Sequence, residues 1–381
     1  MAIIDSDQHL YESRTLWRDH IDPALRAEAL RIEDDATGTP RLRWRDQQIG
    51  LVEVQIPGRS TEVGEQHRRA RAGLPPRERY DDVLPRDYWE PSARLAKLAE
   101  LGLDEAVLFP NYGLLWERTL HASLPALLAN MAAWNRWCIT VAQDGQGRLH
   151  PVAHLTLRDP AWLEGQLEAL GRAGVRMAMI APALVDGRPL SHPSHDRVWA
   201  AFCHHGITPT FHVAEQPRVF GDAWFTDAQE AFVPALDAVF IYVAAALACS
   251  DLILNGTLER FPDLRLGIVE LSAIWVPQYL MMLDGGYAFT RQISGADPSP
   301  LSMTPSDYFR RQVRVSSFAY ESPAHIAQQM GGVDLLMCCS DYPHSEGTMT
   351  PLLDYAAGGR TPQDGPDALF RDNIGFLLRK N

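Results

Sequence analysis

Eight short apolar runs alternate with longer amphipathic stretches along this 381-residue chain, and this alternation limits the fold more than any other feature. The runs lie at 2–4, 106–109, 151–154, 175–180, 207–213, 264–269, 313–318 and 335–339. Several are apolar on both faces, which is typical of buried parallel strands. Helical patterns separate them at 90–101, 124–144, 160–171, 194–205, 237–252, 274–284 and 323–329. The order predicts an α/β fold, a (β/α)8 TIM barrel formed as one domain by residues 1–381.

One segment interrupts the alternation between strands one and two. Residues 20–87 are rich in Arg, Asp, Gly and Pro, and we interpret them as an insertion with its own hairpin at 42–54. The insertion carries a basic cluster, formed by His67, Arg68, Arg69, Arg71, Arg77 and Arg79. Two interpretations of this cluster stay open. It is a solvated or salt-bridged surface, or it anchors an anionic substrate such as a coenzyme A thioester, because Arg matches phosphate geometry.

Composition and charge exclude several classes of function. Lys and Arg number 35 against 48 Asp and Glu, and the net charge of −13 disfavours nucleic-acid binding. The longest apolar run, 238–249, is too short to span a bilayer, which takes about 20 residues, so no membrane partner is expected. Five cysteines without a C-x-x-C pair, and a start without a basic n-region, favour a reducing cytoplasm and no signal peptide.

Polar residues follow the apolar runs where strands end, which is where TIM barrels carry their active sites. These residues are Asp7 and His9 on strand one, Asn111 on strand two, His154 on strand three, His212 on strand five, Glu270 on strand six, and Asp341 and His344 on strand eight. Asp7 and His9 are two apart, so an extended strand points both toward one ion. Imidazole nitrogen with carboxylate oxygen suits zinc, iron or manganese. Each residue alone has an ordinary structural explanation, but burying so many acids without a cation would be costly.

The motifs also resemble a known family. They are DSDQHLYE at 5–12, YWEPSARLAKLAELGLDEAVLFPN at 88–111, HPVAHLTLRDP at 150–160, TPTFHVAE at 208–215, GTLERFPDLRLGIVELSAIWVPQYLMMLD at 256–284 and CSDYPHSEGT at 339–348. This ordered set resembles the amidohydrolase superfamily, in the family-two branch that includes metal-dependent decarboxylases related to aminocarboxymuconate semialdehyde decarboxylase. The resemblance implies a homodimer. It also implies four metal ligands, namely Asp7, His9, His212 and Asp341, with Asp341 also touching the attacking water or the substrate.

Two departures from that family change the expected site. The decarboxylases of the family close strand six with a histidine that serves as acid or base, whereas this chain has Glu270. The first-strand pair, often His-x-His or Glu-x-His, here begins with Asp7. The predicted metal set is Asp7, His9, His212, Glu270, Asp341 and His344, with Glu270 and Asp341 catalytic and Asn111 and His154 binding substrate. Its many oxygen ligands favour iron or manganese over zinc, and six groups are enough for two divalent ions bridged by a carboxylate.

Several functions on a small-molecule substrate fit this site. We favour O2-dependent hydroxylation of a small organic acid or acyl thioester, a monooxygenase reaction at a dinuclear non-haem iron or iron–manganese centre, because the site is carboxylate-rich and lacks the strand-six histidine. Hydrolysis of an amide, ester or lactone by metal-bound water is one alternative. Non-oxidative decarboxylation is another, although Glu270 argues against it. A catalytically inactive barrel acting as a partner subunit is disfavoured by the retained ligands.

Aromatic residues near the strand ends have two interpretations. They are Phe109, Tyr112, Trp116 and Trp275. They form an apolar wall around the substrate, or they belong to the core.

Overall fold

The computed structural model describes residues 2–224, 234–295, 301–331, 335–362 and 368–380. Its strands are β1 (Ile4–Leu10), β2 (Arg31–Asp34), β3 (Pro40–Trp44), β4 (Gln47–Leu51), β5 (Glu105–Pro110), β6 (Leu149–His154), β7 (Met177–Met179), β8 (Thr208–His212), β9 (Leu266–Val269), β10 (Val313–Ser317) and β11 (Leu336–Cys338). Its α-helices are α1 (Leu16–His20), α2 (Ser60–Arg71), α3 (Tyr80–Val83), α4 (Pro91–Leu101), α5 (Glu117–Leu120), α6 (Leu124–Asp144), α7 (Pro160–Arg172), α8 (Asp196–His205), α9 (Ala235–Val239), α10 (Val243–Leu254), α11 (Thr257–Arg260), α12 (Val276–Ser294), α13 (Pro305–Gln312), α14 (Pro323–Gln329), α15 (Pro351–Ala357) and α16 (Asn373–Leu377).

Eight strands form one parallel sheet in the order β1-β5-β6-β7-β8-β9-β10-β11. The two edges of this sheet meet where Gln8 bridges to Tyr342. Two backbone hydrogen bonds join them there, from Asp341 N–H to the Asp7 carbonyl at 2.9 Å and from His9 N–H to the Tyr342 carbonyl at 2.7 Å. The predicted TIM barrel is therefore confirmed, with helices around the sheet. Among the described helices, none has the length and apolarity needed to cross a bilayer.

Alternating side chains along the strands separate the barrel interior from the helical layer. The interior cluster contains Ile4, Val107, Phe109, Val152, Met177, Met179, Val269 and Met337. Residues one position away, such as Leu108 and Phe211, pack in the other cluster with the helices. The carboxyl-terminal helix α16 supplies Ile374 and Leu377 to the interior cluster, and the Leu377 carbonyl accepts from the hydroxyl of Thr208 at the start of β8. This helix therefore plugs the amino-terminal end and leaves the opposite end for chemistry.

Strand one extends beyond its apolar run. That run covers residues 2–4, and β1 continues through the polar residues expected at the strand end, Asp7 and His9, to Leu10. The polar side chain of Asp5 is satisfied inside the barrel: its carboxylate accepts from the Gln8 amide at 2.9 Å and from Ser340 N–H at 3.0 Å. A register shift between Asp5 and Gln8 inserts a bulge. Ile4 and Asp7 can therefore both face the interior although they are three residues apart.

The helices agree with the predictions except in two places. The predicted helices at 124–144 and 323–329 match α6 and α14. The stretch 237–252 divides into α9 and α10, and the helix expected at 274–284 runs on to Ser294. Beyond residue 284 the side chains of α12 are largely exposed, including the apolar Phe289 and Ile293, so no buried apolar face marks this part of the helix in the sequence.

The segment 20–87 folds into a small antiparallel sheet, β2-β3-β4, followed by helices. The β3–β4 hairpin corresponds to the one predicted at 42–54, with bounds shifted toward the amino terminus. Its basic cluster falls largely on α2, and neighbouring acids pair with it: Arg68 and Arg77 contact Glu65, and Arg79 lies 3.9 Å from Asp82. These contacts favour the salt-bridged interpretation over a phosphate anchor.

A buried arginine, Arg94 of α4, contacts the carboxyl-terminal end of β1. Its side chain is fully buried. Its guanidinium donates to the His9 carbonyl at 2.7 Å and to the Gln8 side chain at 3.1 Å. It also donates to the Asp87 carbonyl at 2.8 Å and lies 5.1 Å from the centre of the Tyr342 ring. Arg94 therefore connects β1, the segment before α4 and the loop after β11.

We expect Arg94→Met to lower the free energy of unfolding by about 3 kcal/mol, because it removes the donors of several buried acceptors. Urea denaturation measures this loss. Arg86→Met is the matched control: Arg86 is exposed and, among the residues that the structure describes, pairs with Glu90, so its loss should change the free energy of unfolding much less. Equal effects of the two substitutions would contradict the role assigned to Arg94.

Candidate metal centre

The carboxyl-terminal ends of four strands bring the six predicted ligands together. His9 Nε2 lies 3.4 Å from Asp7 Oδ1, 3.5 Å from Glu270 Oε2 and 3.3 Å from Asp341 Oδ1. His212 Nε2 lies 3.5 Å from Asp7 Oδ1 and 3.2 Å from Glu270 Oε2. These separations between ligand atoms suit groups that share a coordinated ion.

Two overlapping ligand groups emerge from these contacts. One contains Asp7, His9, His212 and Glu270, and the other contains His9, Glu270, Asp341 and His344. Within the second group, His344 Nδ1 is 2.9 Å from Asp341 Oδ1, and the His344 ring stacks on His9 with ring centres 3.7 Å apart. Glu270 and His9 belong to both groups, so the arrangement accommodates one ion or two.

Each of the three imidazoles has one nitrogen fixed outside the site and the other turned into it. His9 Nδ1 faces the Pro110 carbonyl at 3.1 Å and His212 Nδ1 faces the Val213 carbonyl at 2.8 Å. His344 Nε2 faces Asn111 Oδ1 at 2.9 Å. Oxygen atoms of this kind only accept, so these nitrogens carry the protons. The opposite nitrogens keep their lone pairs for a metal ion, which is the usual arrangement around metal-bound histidine.

The inward atoms fit a cation. Buried without a hydrogen-bond partner are His9 Nε2, His212 Nε2, His344 Nδ1, Glu270 Oε2 and both carboxylate oxygens of Asp7 and of Asp341. Buried polar atoms are normally hydrogen-bonded, and eight orphaned ligand atoms in one place are exceptional. Imidazole and carboxylate donors are the ones that manganese, iron and zinc take.

The pKa values of the site residues also indicate that the site binds a cation. Burial disfavours the ionised form of Asp341, and the nearby Glu270 carboxylate adds repulsion, so the pKa of Asp341 is raised to about 6. Burial also opposes a charged His212, but Asp7 and Glu270 outweigh it and raise the pKa of His212 to about 9. Glu270 is held ionised in turn, with its pKa lowered by His212 and His9 despite burial. Protonated imidazoles here compensate negative charge that a metal ion would otherwise neutralise.

Two of the acids have an unusual backbone. Glu270 has φ 53° and Asp341 has φ 57°, both in the left-handed region. Such conformations cost about 1 kcal/mol or more for residues other than glycine and cluster at functional sites. The left-handed conformation changes the direction of the Glu270 side chain. Val269 points into the barrel, and in a regular strand the next residue, Glu270, would point outward.

Of the other residues predicted from the sequence, some contact the candidate metal centre and the rest lie elsewhere in the barrel. Asn111 contacts His344 and so joins the centre. His154 instead pairs with Glu117 at 2.9 Å and contacts none of the six ligands. Among the predicted aromatics, Phe109 lines the centre, with its ring 4.2 Å from that of His212. The other three, Tyr112, Trp116 and Trp275, pack in the helical-layer core cluster.

Sequence reasoning missed a contact from the segment 20–87. The Gln55 side chain accepts from Ser345 N–H at 2.9 Å, beside His344. The Gln55 backbone N–H donates to the Tyr11 hydroxyl at 3.0 Å, and its carbonyl accepts from the Tyr88 hydroxyl at 2.8 Å. Gln55 thus links the end of β1 to the loop after β11. A single neutral glutamine outside the sequence motifs carries no signal that would have revealed this link.

The amidohydrolase family model matches residues 4–375. The chain belongs to the amidohydrolase family. It is accordingly a metal-dependent enzyme of the amidohydrolase superfamily, and the resemblance noted in the sequence is confirmed. No curated protein matches the chain.

Solved structures share the fold at low sequence identity. An amidohydrolase from Mycobacterium avium subsp. paratuberculosis K-10 superposes with a TM-score of 0.77 at 21% identity, over 99% of both chains. The 5-carboxyvanillate decarboxylase of Novosphingobium aromaticivorans DSM 12444, complexed with manganese and 4-hydroxy-3-methoxy-5-nitrobenzoic acid, gives 0.62 at 19%, over 86% of this chain and 94% of its own. A dihydroxybenzoic acid decarboxylase from Polaromonas sp. JS666, with bound manganese and 2-nitroresorcinol, gives 0.59 at 12%, over 99% and 97%. Identities this low establish the shared fold alone.

We expect His212→Ala and Asp341→Asn each to remove activity, and His212→Ala also to lower the bound divalent metal, because His212 is a ligand in the group with Asp7, His9 and Glu270. Metal analysis of the purified variants measures the loss. His205→Ala, at the end of α8 just before β8, is a histidine control outside the site and should keep the full metal content. Wild-type metal content in His212→Ala would contradict the ligand assignment.

Proposed function

We propose that this protein is a divalent-metal-dependent enzyme that decarboxylates a small organic acid without O2. The fold likeness to the two manganese-containing decarboxylases supports this reaction over the monooxygenase reaction favoured from the sequence. The observation that carries the proposal is the pair formed by His344 and Asp341, 2.9 Å apart beside the group Asp7, His9, His212 and Glu270. That pair is a proton donor placed next to a candidate metal site.

The pair of His344 and Asp341 can supply the proton transfer for which the family's decarboxylases use a strand-six histidine. The sequence argued against decarboxylation because the strand-six histidine of the family is replaced by Glu270. His344 places another buried imidazole at the same centre, and Asn111 orients it through Nε2. An acid–base imidazole is therefore present, supplied by the loop after β11 instead of by strand six.

Charge balance favours one ion with a proton on this pair. One divalent cation matches the two carboxylates of Asp7 and Glu270, and a single proton shared between Asp341 and His344 makes that pair neutral. A neutral site admits a substrate carboxylate without net repulsion, whereas three uncompensated acids would repel it. A bound cation would supply positive charge that holds substrate oxygen atoms and stabilises developing negative charge.

The reaction then needs only one proton from the protein. The bond between the substrate carbon and its carboxylate breaks, the electron pair stays on that carbon, and CO2 leaves. The proton held by His344 and Asp341 moves to the carbon, and solvent restores it to the pair. Atoms and electrons balance without an oxidant or a reductant.

To test this proposal, a panel of aromatic and aliphatic carboxylic acids is incubated anaerobically with the manganese-loaded protein in D2O. We expect CO2 release and one deuterium at the vacated carbon. His344→Gln should keep the metal and slow the release by about 10²-fold or more, because it removes the acid–base group. CO2 release unaffected by His344→Gln, or turnover only of amides, esters or lactones, would contradict the proposal.

A second candidate function follows from the overlap of the two ligand groups. If the His344–Asp341 pair holds a second ion in place of the proton, Glu270 bridges two metals and the centre resembles the predicted dinuclear one. Such a centre supports O2-dependent hydroxylation, in which one oxygen atom enters the substrate and the other becomes water at the expense of a two-electron reductant. O2 consumption that depends on added reductant separates this function from decarboxylation.

Glu270→Gln decides the number of ions. In the one-ion centre the variant loses one of four ligands, so its single equivalent should bind more weakly but be restored at high metal concentration. In a two-ion centre the neutral amide bridges poorly, and we expect stoichiometry to fall from two to one even at saturation. Metal titration with mass spectrometry of the native protein measures both quantities. A wild-type stoichiometry of two would overturn the one-ion assignment.

A further inference from the structure

A second buried polar cluster lies at the end of β6, apart from the six candidate ligands. His154 and Glu117 are 1% and 3% exposed, and His154 Nε2 is 2.9 Å from Glu117 Oε2. The Gln216 amide donates to the same oxygen at 3.0 Å. The fully buried Trp116 packs on His154 with ring centres 5.0 Å apart.

Two nitrogen atoms of this cluster have no partner. His154 Nδ1 and Trp116 Nε1 are both buried without a hydrogen bond. The rest of His154 is satisfied, since its backbone N–H donates to Asn135 at 2.8 Å and its carbonyl accepts from Asn135 at 3.1 Å. A buried polar atom without a hydrogen bond costs about 1–3 kcal/mol. Two such atoms on the neighbouring His154 and Trp116 rings therefore indicate a site where a ligand could supply the missing hydrogen bonds.

The cluster faces the barrel axis. Val152, two residues before His154, belongs to the interior cluster together with Phe109 and Leu114. Because strand residues alternate, His154 points to the same side as Val152. Phe109 in turn contacts His212 of the candidate metal centre. An apolar surface therefore connects the His154 cluster with the candidate metal centre at the carboxyl-terminal end of the barrel.

The protonation pattern selects the group that would bind. His154 Nε2 faces a carboxylate and carries a proton in either charge state, so Nδ1 accepts in the neutral ring and donates in the imidazolium. Trp116 Nε1 only donates. A hydroxyl group suits both atoms, because its oxygen accepts from Trp116 and the group can either donate to or accept from His154 Nδ1.

We propose that His154 and Trp116 form a subsite for a hydroxyl group of the substrate, remote from the carboxylate that reacts. This inference rests on the proposed function for the identity of the reacting carboxylate. The evidence for the subsite itself is the pair of unpaired nitrogen atoms on His154 and Trp116. Glu117 and Gln216 act as positioning residues that fix the His154 ring. Such a subsite rejects an analogue without the hydroxyl, because the analogue leaves both nitrogens unpaired.

Binding of simple aromatic probes tests the subsite. Calorimetry with the manganese-loaded protein compares benzoate with 3- and 4-hydroxybenzoate, and phenol serves as a probe without a carboxylate. We expect the better hydroxybenzoate to bind about tenfold or more tightly than benzoate. His154→Leu and Trp116→Phe should each reduce this ratio below about threefold and leave benzoate affinity unchanged. His150→Leu, on the same strand but paired with Glu105 at its other end, is the control and should keep the wild-type ratio.

The outcomes separate the two proposals. A ratio near one in the wild type, or a ratio that neither variant changes, overturns the subsite and means that the two nitrogens hold bound water only. Failure of every carboxylate to bind, with phenol bound in the wild type and lost in Trp116→Phe, supports the subsite and contradicts the proposed function. Failure of phenol as well as of the acids overturns the subsite.

Discussion

Three carboxylates at one end of the barrel, those of the buried Asp7 and Asp341 and of the largely buried Glu270, impose the constraint on which the rest of the structure depends. Uncompensated, this much charge in a dry interior would oppose folding strongly. Two of the acids are held by a contact that also closes the barrel, because Asp341 N–H donates to the Asp7 carbonyl across the seam between β1 and β11. Closure of the sheet therefore also brings Asp7 and Asp341 together in the candidate metal centre.

The sequence predicts the barrel, and the six residues that it proposes as ligands lie together in the structure, because both predictions follow from simple periodicities. Parallel strands are apolar on both faces, and the polar residues that interrupt them fall at the functional end. The backbone irregularities were not predictable in this way. The bulge in β1 turns Asp7 inward, and the left-handed conformations of Glu270 and Asp341 aim their carboxylates, yet neither residue type signals such a conformation.

Close packing beside the centre adds a requirement that appears only in three dimensions. A Cβ on Gly347 would lie 2.4 Å from the Asp341 carbonyl oxygen, so the loop after β11 can fold back over Asp341 only with glycine at this position. Gln55 secures the same loop from the segment 20–87 through Ser345. The sequence drew attention to the arginines of that segment, but its contact with the site is neutral. Charge patterns reveal electrostatic contacts, whereas such backbone hydrogen bonds depend on the completed fold.

The position of His344 decides between the two chemistries that the centre can support. Its Nδ1 lies 2.9 Å from the Asp341 carboxylate, so the two groups can share a proton or can both bind a cation. Metal ions and protons compete for such ligands, so binding of a second ion releases the proton that decarboxylation would use. Higher pH and higher metal concentration both favour the second ion, and lower values of both favour the proton. One ligand set can thus serve proton transfer or dinuclear chemistry according to what occupies the space between His344 and Asp341.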